Sequence, residues 1–311
     1  MKVVTAEEIQ NNFSMKETMD VIEEFYVHNK EEFTAPERMH VEDGGNTALL
    51  MPAFHGEYYA AKLAGIAPGN KKYGKDTLHG IMVLHDRYTM EPLFLCDAIA
   101  VTALRTGALG GLGVKYLAKE EASVLGIIGT GTQGWSHLHS ALAARDIKEV
   151  HIFNRTKDKA NSFKERAEQV FPEVKFNVSA LGELVVQSDI VITTTTSLEP
   201  VLPELSKDQW KGKLVVGVGS FRPVMQELSD QVLKEAEEIH VDSKSAFHES
   251  GDMIRAENIG IDFENVKDLD EIISEKYHPE EREEKLIVFK SVGASIFDLI
   301  TARSIYEKYY K

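Results

Sequence analysis

Residues 124–138 read Val-Leu-Gly-Ile-Ile-Gly-Thr-Gly-Thr-Gln-Gly-Trp-Ser-His-Leu. An apolar run ending at Ile128 feeds directly into Gly129-Thr130-Gly131-Thr132-Gln133-Gly134, and a helix-compatible stretch follows. Glycines at these offsets do three different jobs between a strand and a helix. Gly129 permits the tight turn, Gly131 lets a pyrophosphate approach the backbone, and Gly134 lets the helix pack closely on the strand. The first N–H groups of the helix then face the phosphate charge. The spacing by itself also occurs in ordinary loops. Here a second strand-like run, Glu149-Val-His-Ile-Phe-Asn154, closes a βαβ unit at the right distance, so the segment reads as a dinucleotide site.

From Val124 onward strand-like runs alternate with helical stretches, near 124–128, 149–154, 175–179, 189–195, 213–219 and 238–242. That alternation predicts a parallel sheet with helices on both faces. The preceding chain is patterned differently. Ser14-Met-Lys-Glu17 reads as a capping box opening a helix to about residue 32. Strand-like runs follow at 47–54, 58–66, 79–85 and 92–97, separated by turn signals such as Asp43-Gly-Gly-Asn46 and Pro68-Gly-Asn70. A helix and a meander predict an α+β domain. Residues 98 to about 117 turn helical and carry Gly107, Gly110, Gly111 and Gly113. Such glycines are costly in an isolated helix, so close approach to another backbone is expected to compensate. Residues 260–284 are acidic and weakly patterned. Leu286-Ile-Val-Phe289 then leads to a last helix over 294–309, expected to return to the first domain. The fold class is therefore α/β, with a Rossmann domain joined to an α+β domain.

The 311 residues hold 35 Lys and Arg against 50 Asp and Glu, a formal charge of −15. Nucleic acid and anionic membranes repel such a surface, so neither is expected as a partner. An anionic substrate would need local cations. The single cysteine, Cys96 in Leu93-Phe-Leu-Cys96, excludes an internal disulfide and reads as a core residue. The first residues lack a signal peptide's apolar core and no apolar stretch is long enough to span a bilayer, so a cytoplasmic location is expected. The histidines show no metal-ligand spacing, and no metal is expected. Neither a Gly-x-Ser-x-Gly elbow nor a P-loop occurs.

In open α/β sheets ligands bind at the carboxyl ends of strands. The second strand ends in Asn154-Arg155-Thr156, where an NAD-preferring protein usually has an acid for the ribose 2′-OH. Arg155 offers a cation for a 2′-phosphate instead, with Lys157 and Lys159 behind it, which favours NADPH while leaving NADH open; the plain alternative is a solvated surface charge. Thr193, Thr194 and Thr195 end the fourth strand, suited to ribose or diphosphate or simply to strand packing. The fifth tip is Gly217-Val218-Gly219-Ser-Phe-Arg-Pro223. In the first domain Lys62 interrupts the apolar run Ala60-Ala-Lys-Leu-Ala-Gly65, where it either snorkels out or is partly desolvated near an anion. Arg38 and Arg105 are singly surface charges. Together the three cations would make a carboxylate clamp.

The stretch Thr102-Ala-Leu-Arg-Thr-Gly-Ala108, the turn 129–134, Asn154-Arg-Thr156, Glu249-Ser-Gly-Asp252 and Phe289-Lys-Ser-Val-Gly293 resemble, in this order and over nearly the whole chain, the ornithine cyclodeaminase/μ-crystallin family. The resemblance implies a bilobed homodimer. A substrate-binding and dimerisation domain would be built from 1–118 with 291–311, and a Rossmann domain from 119–290. It implies that Arg38, Lys62 and Arg105 hold a substrate carboxylate, with Lys62 also the catalytic residue near the reacting carbon, and that Thr77 and His79 line the pocket. Cofactor contacts are implied at Arg105, Gly129, Thr130, Gly131, Thr132, Gln133, Asn154, Arg155, Thr156, Lys159, Thr193, Thr194, Thr195, Val218 and Ser291. One departure sorts the family's activities. Cyclodeaminases and related alanine dehydrogenases have a catalytic aspartate just after the glycine-rich fifth strand, and here the place reads Gly219-Ser-Phe221-Arg-Pro223. Ketimine-reducing members resemble this chain in lacking that acid and in carrying Asn-Arg-Thr. The implied activity is NADPH-preferring reduction of a cyclic imino acid, Δ1-pyrroline-2-carboxylate to L-proline, with Δ1-piperideine-2-carboxylate to L-pipecolate as a further reaction. The alternatives are a cyclodeaminase or alanine dehydrogenase, and a binding protein without turnover.

Overall fold

The computed structural model describes residues 2–28 and 32–311. The chain divides into two compact units, Met1–Arg105 with Gly293–Lys311, and Thr106–Val292. The first unit is built on a six-stranded sheet of β1 (Lys2–Val4), β2 (Met39–Asp43), β3 (Asn46–His55), β4 (Tyr58–Ile66), β5 (Leu78–Asp86) and β6 (Pro92–Asp97), in the order β1-β6-β5-β4-β3-β2. β2 to β6 form an antiparallel meander and β1 pairs parallel with β6. Strand alternation gives the sheet one buried face, with Met51 and Ala53 on β3, Ala60 and Lys62 on β4, and Met82 and Leu84 on β5. The helix Ser295–Tyr310 lies over β3, β4 and β5 and also packs on the helix Met15–His28. The last helix does return to the first unit, as its late position in the chain suggested. Ser14 and Glu17 make the expected capping box, each backbone N–H donating to the other's side chain, at 2.8 and 3.2 Å. Of the helix expected to run to about residue 32, positions 29–31 lie outside the described residues. β1, β2 and the short helix Ala6–Asn12 carry too little alternation to show in the sequence, and every residue of β2 is exposed.

The second unit is a seven-stranded parallel sheet of β7 (Val124–Ile128), β8 (Glu149–Phe153), β9 (Lys175–Val178), β10 (Ile190–Thr193), β11 (Leu214–Gly217), β12 (Glu238–Val241) and β13 (Ile287–Lys290), in the order β12-β13-β11-β10-β7-β8-β9. All six pairings are parallel. β10, β11 and β13 are buried throughout, which is why they read as continuous apolar runs. The chain leaves β7 toward β8 and β9, then returns to β10 on the other side. That reversal makes the β7/β10 boundary the topological switch point, where ligands of such sheets bind.

The two units divide inside the helix Ala98–Leu117, earlier than the expected 118/119 boundary. Its glycine-rich half packs within the second unit. A Cβ on Gly110 would fall 2.4 Å from the His137 ring, and one on Gly113 would fall 2.5 Å from Phe289. Gly110 and Gly113 therefore admit two rings rather than another backbone, which corrects the expectation at these two positions. Among the described residues no helix is long and apolar enough to cross a membrane.

Candidate active site

Lys62 shares the covered face of β4 with Ala60, so strand periodicity turns it inward beneath the last helix instead of letting it reach water. It is 4% exposed. Its Nζ donates to Asp298 Oδ2 at 2.7 Å and to Thr102 Oγ1 at 3.5 Å. Asp298 lies in the first turn of the helix Ser295–Tyr310, where the unpaired N–H groups favour an acid. Its other oxygen, Oδ1, accepts from Arg105 Nε at 3.0 Å. Arg38 reaches the same place through Gly293, whose carbonyl accepts from Arg38 Nη2 at 2.8 Å. Gly293 has φ +75°, and a Cβ there would fall 1.6 Å from Arg105 Nη1. Only glycine allows that approach.

The electrostatics follow from this crowding. Burial pulls the Lys62 ammonium down from its ordinary value, Asp298 pushes back, and Arg105 and Arg38 add to the fall, leaving it at about 8. Burial would raise the Asp298 carboxyl, but Arg105 and Lys62 outweigh it and hold it below its ordinary value. Arg105 Nη1 is buried and has no hydrogen-bond partner among the described residues. A buried donor without an acceptor costs about 1–3 kcal/mol. A carboxylate supplies acceptor and charge together. Thr77 and His79 stand apart from this cluster. Thr77 precedes β5, its carbonyl accepting from Ala67 N–H at 2.8 Å. Met82 is the residue paired with Lys62, so His79 points to the opposite, exposed face of β5.

In the second unit Gly129 takes φ +102°, and its N–H donates to the Phe153 carbonyl at 2.9 Å. A Cβ on Gly134 would fall 2.2 Å from Gly129 O, so helix and turn meet this closely only at glycine. Gly131 caps the helix Thr132–Ala144 without any side-chain hydrogen bond to the first-turn N–H groups. No described atom lies within 4 Å of the place its Cβ would take. Thr130 Oγ1 and Gln133 Oε1 are buried without a partner among the described residues. The uncapped N–H groups and the orphaned Thr130 hydroxyl around an open glycine are donors that fit a dinucleotide diphosphate, whereas the Gln133 oxygen can only accept. Asn154 ties the turn to the next strand tip, accepting from Thr130 N–H at 3.4 Å and donating to Thr156 O at 3.0 Å. Arg155, Lys157 and Lys159 are exposed and have no ion-pair partner among the described residues.

Several hydroxyls expected to meet the cofactor are engaged within the protein. Thr194 Oγ1 donates to Gly129 O at 3.0 Å, bracing the turn. Thr193 Oγ1 donates to Glu227 Oε2 at 2.8 Å, and Thr195 Oγ1 accepts from Ser197 N–H at 3.3 Å. Val218 is buried, its N–H on the Thr193 carbonyl at 2.9 Å. Ser291 Oγ donates to Asp242 Oδ2 at 2.7 Å.

Sequence reasoning noted Asp252 only within Glu249-Ser-Gly-Asp252, without a role, and overlooked Glu227. Glu227 is fully buried and accepts from Gly219 N–H at 2.6 Å, from Thr193 Oγ1 and from Thr195 N–H. Asp252 accepts from the N–H groups of Glu227 and Leu228 at 2.8 and 2.9 Å, and its Oδ2 lies 3.2 Å from Lys290 Nζ, both residues being fully buried. Burial pushes the Glu227 carboxyl up while Lys290 and the donated hydrogen bonds oppose the rise. Glu227 is the first acid after Phe221, and its oxygens are spent holding the strand tips.

The family model of the ornithine cyclodeaminase/mu-crystallin family matches residues 1–311. The chain belongs to this family. It is 36% identical over 320 residues to a Delta(1)-pyrroline-2-carboxylate reductase of Bacillus cereus, covering 99% of this chain and 96% of that one. The solved Delta(1)-pyrroline-2-carboxylate reductase of Thermococcus litoralis, in complex with NADH and L-proline, superposes with a TM-score of 0.90 at 30% identity, over 99% and 97% of the two chains. An archaeal alanine dehydrogenase dimer with bound NAD gives 0.89 at 30% identity, over 99% and 95%. The chain is accordingly an oxidoreductase that uses a nicotinamide cofactor.

Proposed function

We propose that the protein reduces Δ1-pyrroline-2-carboxylate to L-proline, and its six-membered homologue Δ1-piperideine-2-carboxylate to L-pipecolate, with NADPH preferred and NADH accepted. The observation that carries this reading is the buried Arg105 Nη1, which has no acceptor among the described residues and sits in a cluster with Arg38 and Lys62. A substrate carboxylate satisfies that donor and offsets the excess positive charge. The names of the Bacillus cereus and Thermococcus litoralis relatives support the substrate class.

Arg38, Lys62 and Arg105 bind the carboxylate and so fix the imine carbon, which removes orientational entropy from the barrier. The turn after β7, with Gly129, Thr130, Gly131, Thr132 and Gln133, would hold the cofactor diphosphate, and Asn154, Arg155, Thr156 and Lys159 would hold the adenosine end. Thr193, Thr194, Thr195, Val218 and Ser291 would shape the strand tips against which the cofactor lies, the hydroxyls of Thr193, Thr194 and Ser291 having partners within the protein. When bound, the nicotinamide supplies a hydride to C2 of the imine. The commitment of Glu227 to Thr193, Thr195 and Gly219 leaves no carboxylate on this loop to bind a substrate amine, which speaks against ornithine cyclisation.

A second copy of the chain is the expected partner. Met39, Leu50, Leu63 and Ile81 are paired neighbours across β2 to β5 on the face away from the last helix, and Met39, Leu63 and Ile81 are exposed. An apolar row on an exposed sheet face favours burial against its own copy. Oxidation of NADPH and NADH, followed at 340 nm with Δ1-pyrroline-2-carboxylate and with pyruvate plus ammonia, together with ammonia release from ornithine in the presence of NAD, tests the function. Fast turnover with the cyclic imine supports it. Turnover confined to either other arm overturns it, and binding of NADPH with no turnover in any arm would make the chain a binding protein.

A further inference from the structure

The cation cluster contains one anion that the proposed reaction does not yet use. Asp298 divides its two oxygens, one to the Lys62 ammonium at 2.7 Å and one to the Arg105 Nε at 3.0 Å, and it is fully buried. Three cations against this single carboxylate leave an excess of two positive charges before substrate arrives. A bound carboxylate removes one. The remaining positive charge disfavours a second cation, so the imine is held in its neutral form and its nitrogen must gain a proton as C2 is reduced.

Resting on the imine-reductase reading, we propose that Asp298 is the positioning residue of the site, holding Lys62 in place and in its charged form so that the ammonium delivers that proton. The step balances simply. Hydride forms the new C–H bond at C2, the C=N π pair takes a proton from Lys62 Nζ to form N–H, and the cofactor is oxidised. Lys62 is left as a neutral amine and regains its proton from water. Asp298 stays ionised throughout and touches no reacting atom. Arg105 cannot serve as the donor, because guanidinium does not lose its proton in proteins.

The groups facing Lys62 among the described residues are few. Asp298 comes from the last helix, Arg105 and Thr102 from the helix Ala98–Leu117, and Arg38 from the segment before β2. From β6 comes the buried Cys96, whose thiol burial pushes up; Asp97, paired with Ile81, lies on the other face and accepts from Ala100 N–H at 2.7 Å. Asp298 alone among them is hydrogen-bonded to the ammonium as an anion. With the acid form required, kcat/KM falls as pH rises through the Lys62 pKa of about 8.

The test is Asp298→Asn, with Asp298→Glu as the conservative control. Lysines labelled with 13C at Cε report the Lys62 titration in the free enzyme, assigned by its loss in Lys62→Met, and the pH profile of kcat/KM reports the limb in turnover. In Asp298→Asn the titration and the alkaline limb are both expected to move down by about one pH unit or more, with kcat at neutral pH reduced and the cofactor Kd, read by nucleotide fluorescence, unchanged. Asp298→Glu is expected to restore most of both. A titration unmoved in a folded Asp298→Asn overturns the positioning role, since packing alone predicts lower stability with no shift. Should the asparagine variant not fold, Asp298→Ser takes its place, and a Lys62 titration unmoved in that variant overturns the role as well. A shifted titration in an enzyme that reduces no imine overturns the reaction and leaves the positioning role standing.

Discussion

Gly293 joins the two arginines of the cation cluster, one by its carbonyl and one by its missing side chain. Alanine there must displace Arg105 and adopt a strained positive φ. Gly293→Ala is therefore expected to raise KM for the imino acid by about tenfold or more, equivalent to about 1.4 kcal/mol of lost binding. The cofactor Kd should not change, and steady-state kinetics with fluorescence titration check both. Arg155 carries the second prediction at this scale. Arg155→Ala should weaken NADPH by about tenfold and leave NADH nearly unchanged, the difference being one charge-assisted contact. No loss with either cofactor would return Arg155 to the plain surface. Lys62 was legible in the sequence because a lysine inside an apolar strand run is a conflict that needs a reason. Asp298 was not, since a lone acid in Ile-Phe-Asp-Leu at helical spacing reads as a surface residue. Only the fold brings it 2.7 Å from a lysine of β4.

At the scale of elements, the tips of β10 and β11 are held by Glu227. Its two oxygens take two backbone N–H groups and one hydroxyl, and a Cβ on Gly219 would fall within 1.9 Å of the Thr195 carbonyl. An amide in place of the carboxylate turns one of these contacts donor to donor and leaves Lys290 with less countercharge. Glu227→Gln should cost on the order of 3 kcal/mol in urea unfolding and weaken cofactor binding more than substrate binding. Unchanged stability would mean that the tips hold themselves. The central strands β10, β11 and β13 were readable to within a few residues because both faces are buried and their runs are almost continuously apolar. The roles of the helix glycines at 110 and 113 were not, because what they admit is a ring from a distant segment, His137 or Phe289. β1 escaped notice for a different reason. Three residues are too few to show a period.

At the scale of the molecule, a second copy is proposed to cover the exposed row through Leu63 and Ile81. Leu63→Asp places a charge on that face without touching Lys62, whose side chain is on the other. Sedimentation velocity should show a dimer for the parent and a folded monomer for the variant. A parent that sediments as a monomer at micromolar concentration would remove the assembly proposal. The two-part organisation was legible because hydrophobic periodicity changes character near Val124, and the return of the last helix to the first unit was expected from its order in the chain. Where the units divide was less accessible, since the boundary falls within one continuous helix, after Arg105. The most direct test of the central claim follows one atom. The enzyme is given Δ1-pyrroline-2-carboxylate with NADPH deuterated at C4 of the nicotinamide, in separate 4R and 4S forms, and the product is examined by NMR. One of the two forms should yield L-proline with a single deuterium at C2, and proline without deuterium from both, or no proline at all, would contradict the account.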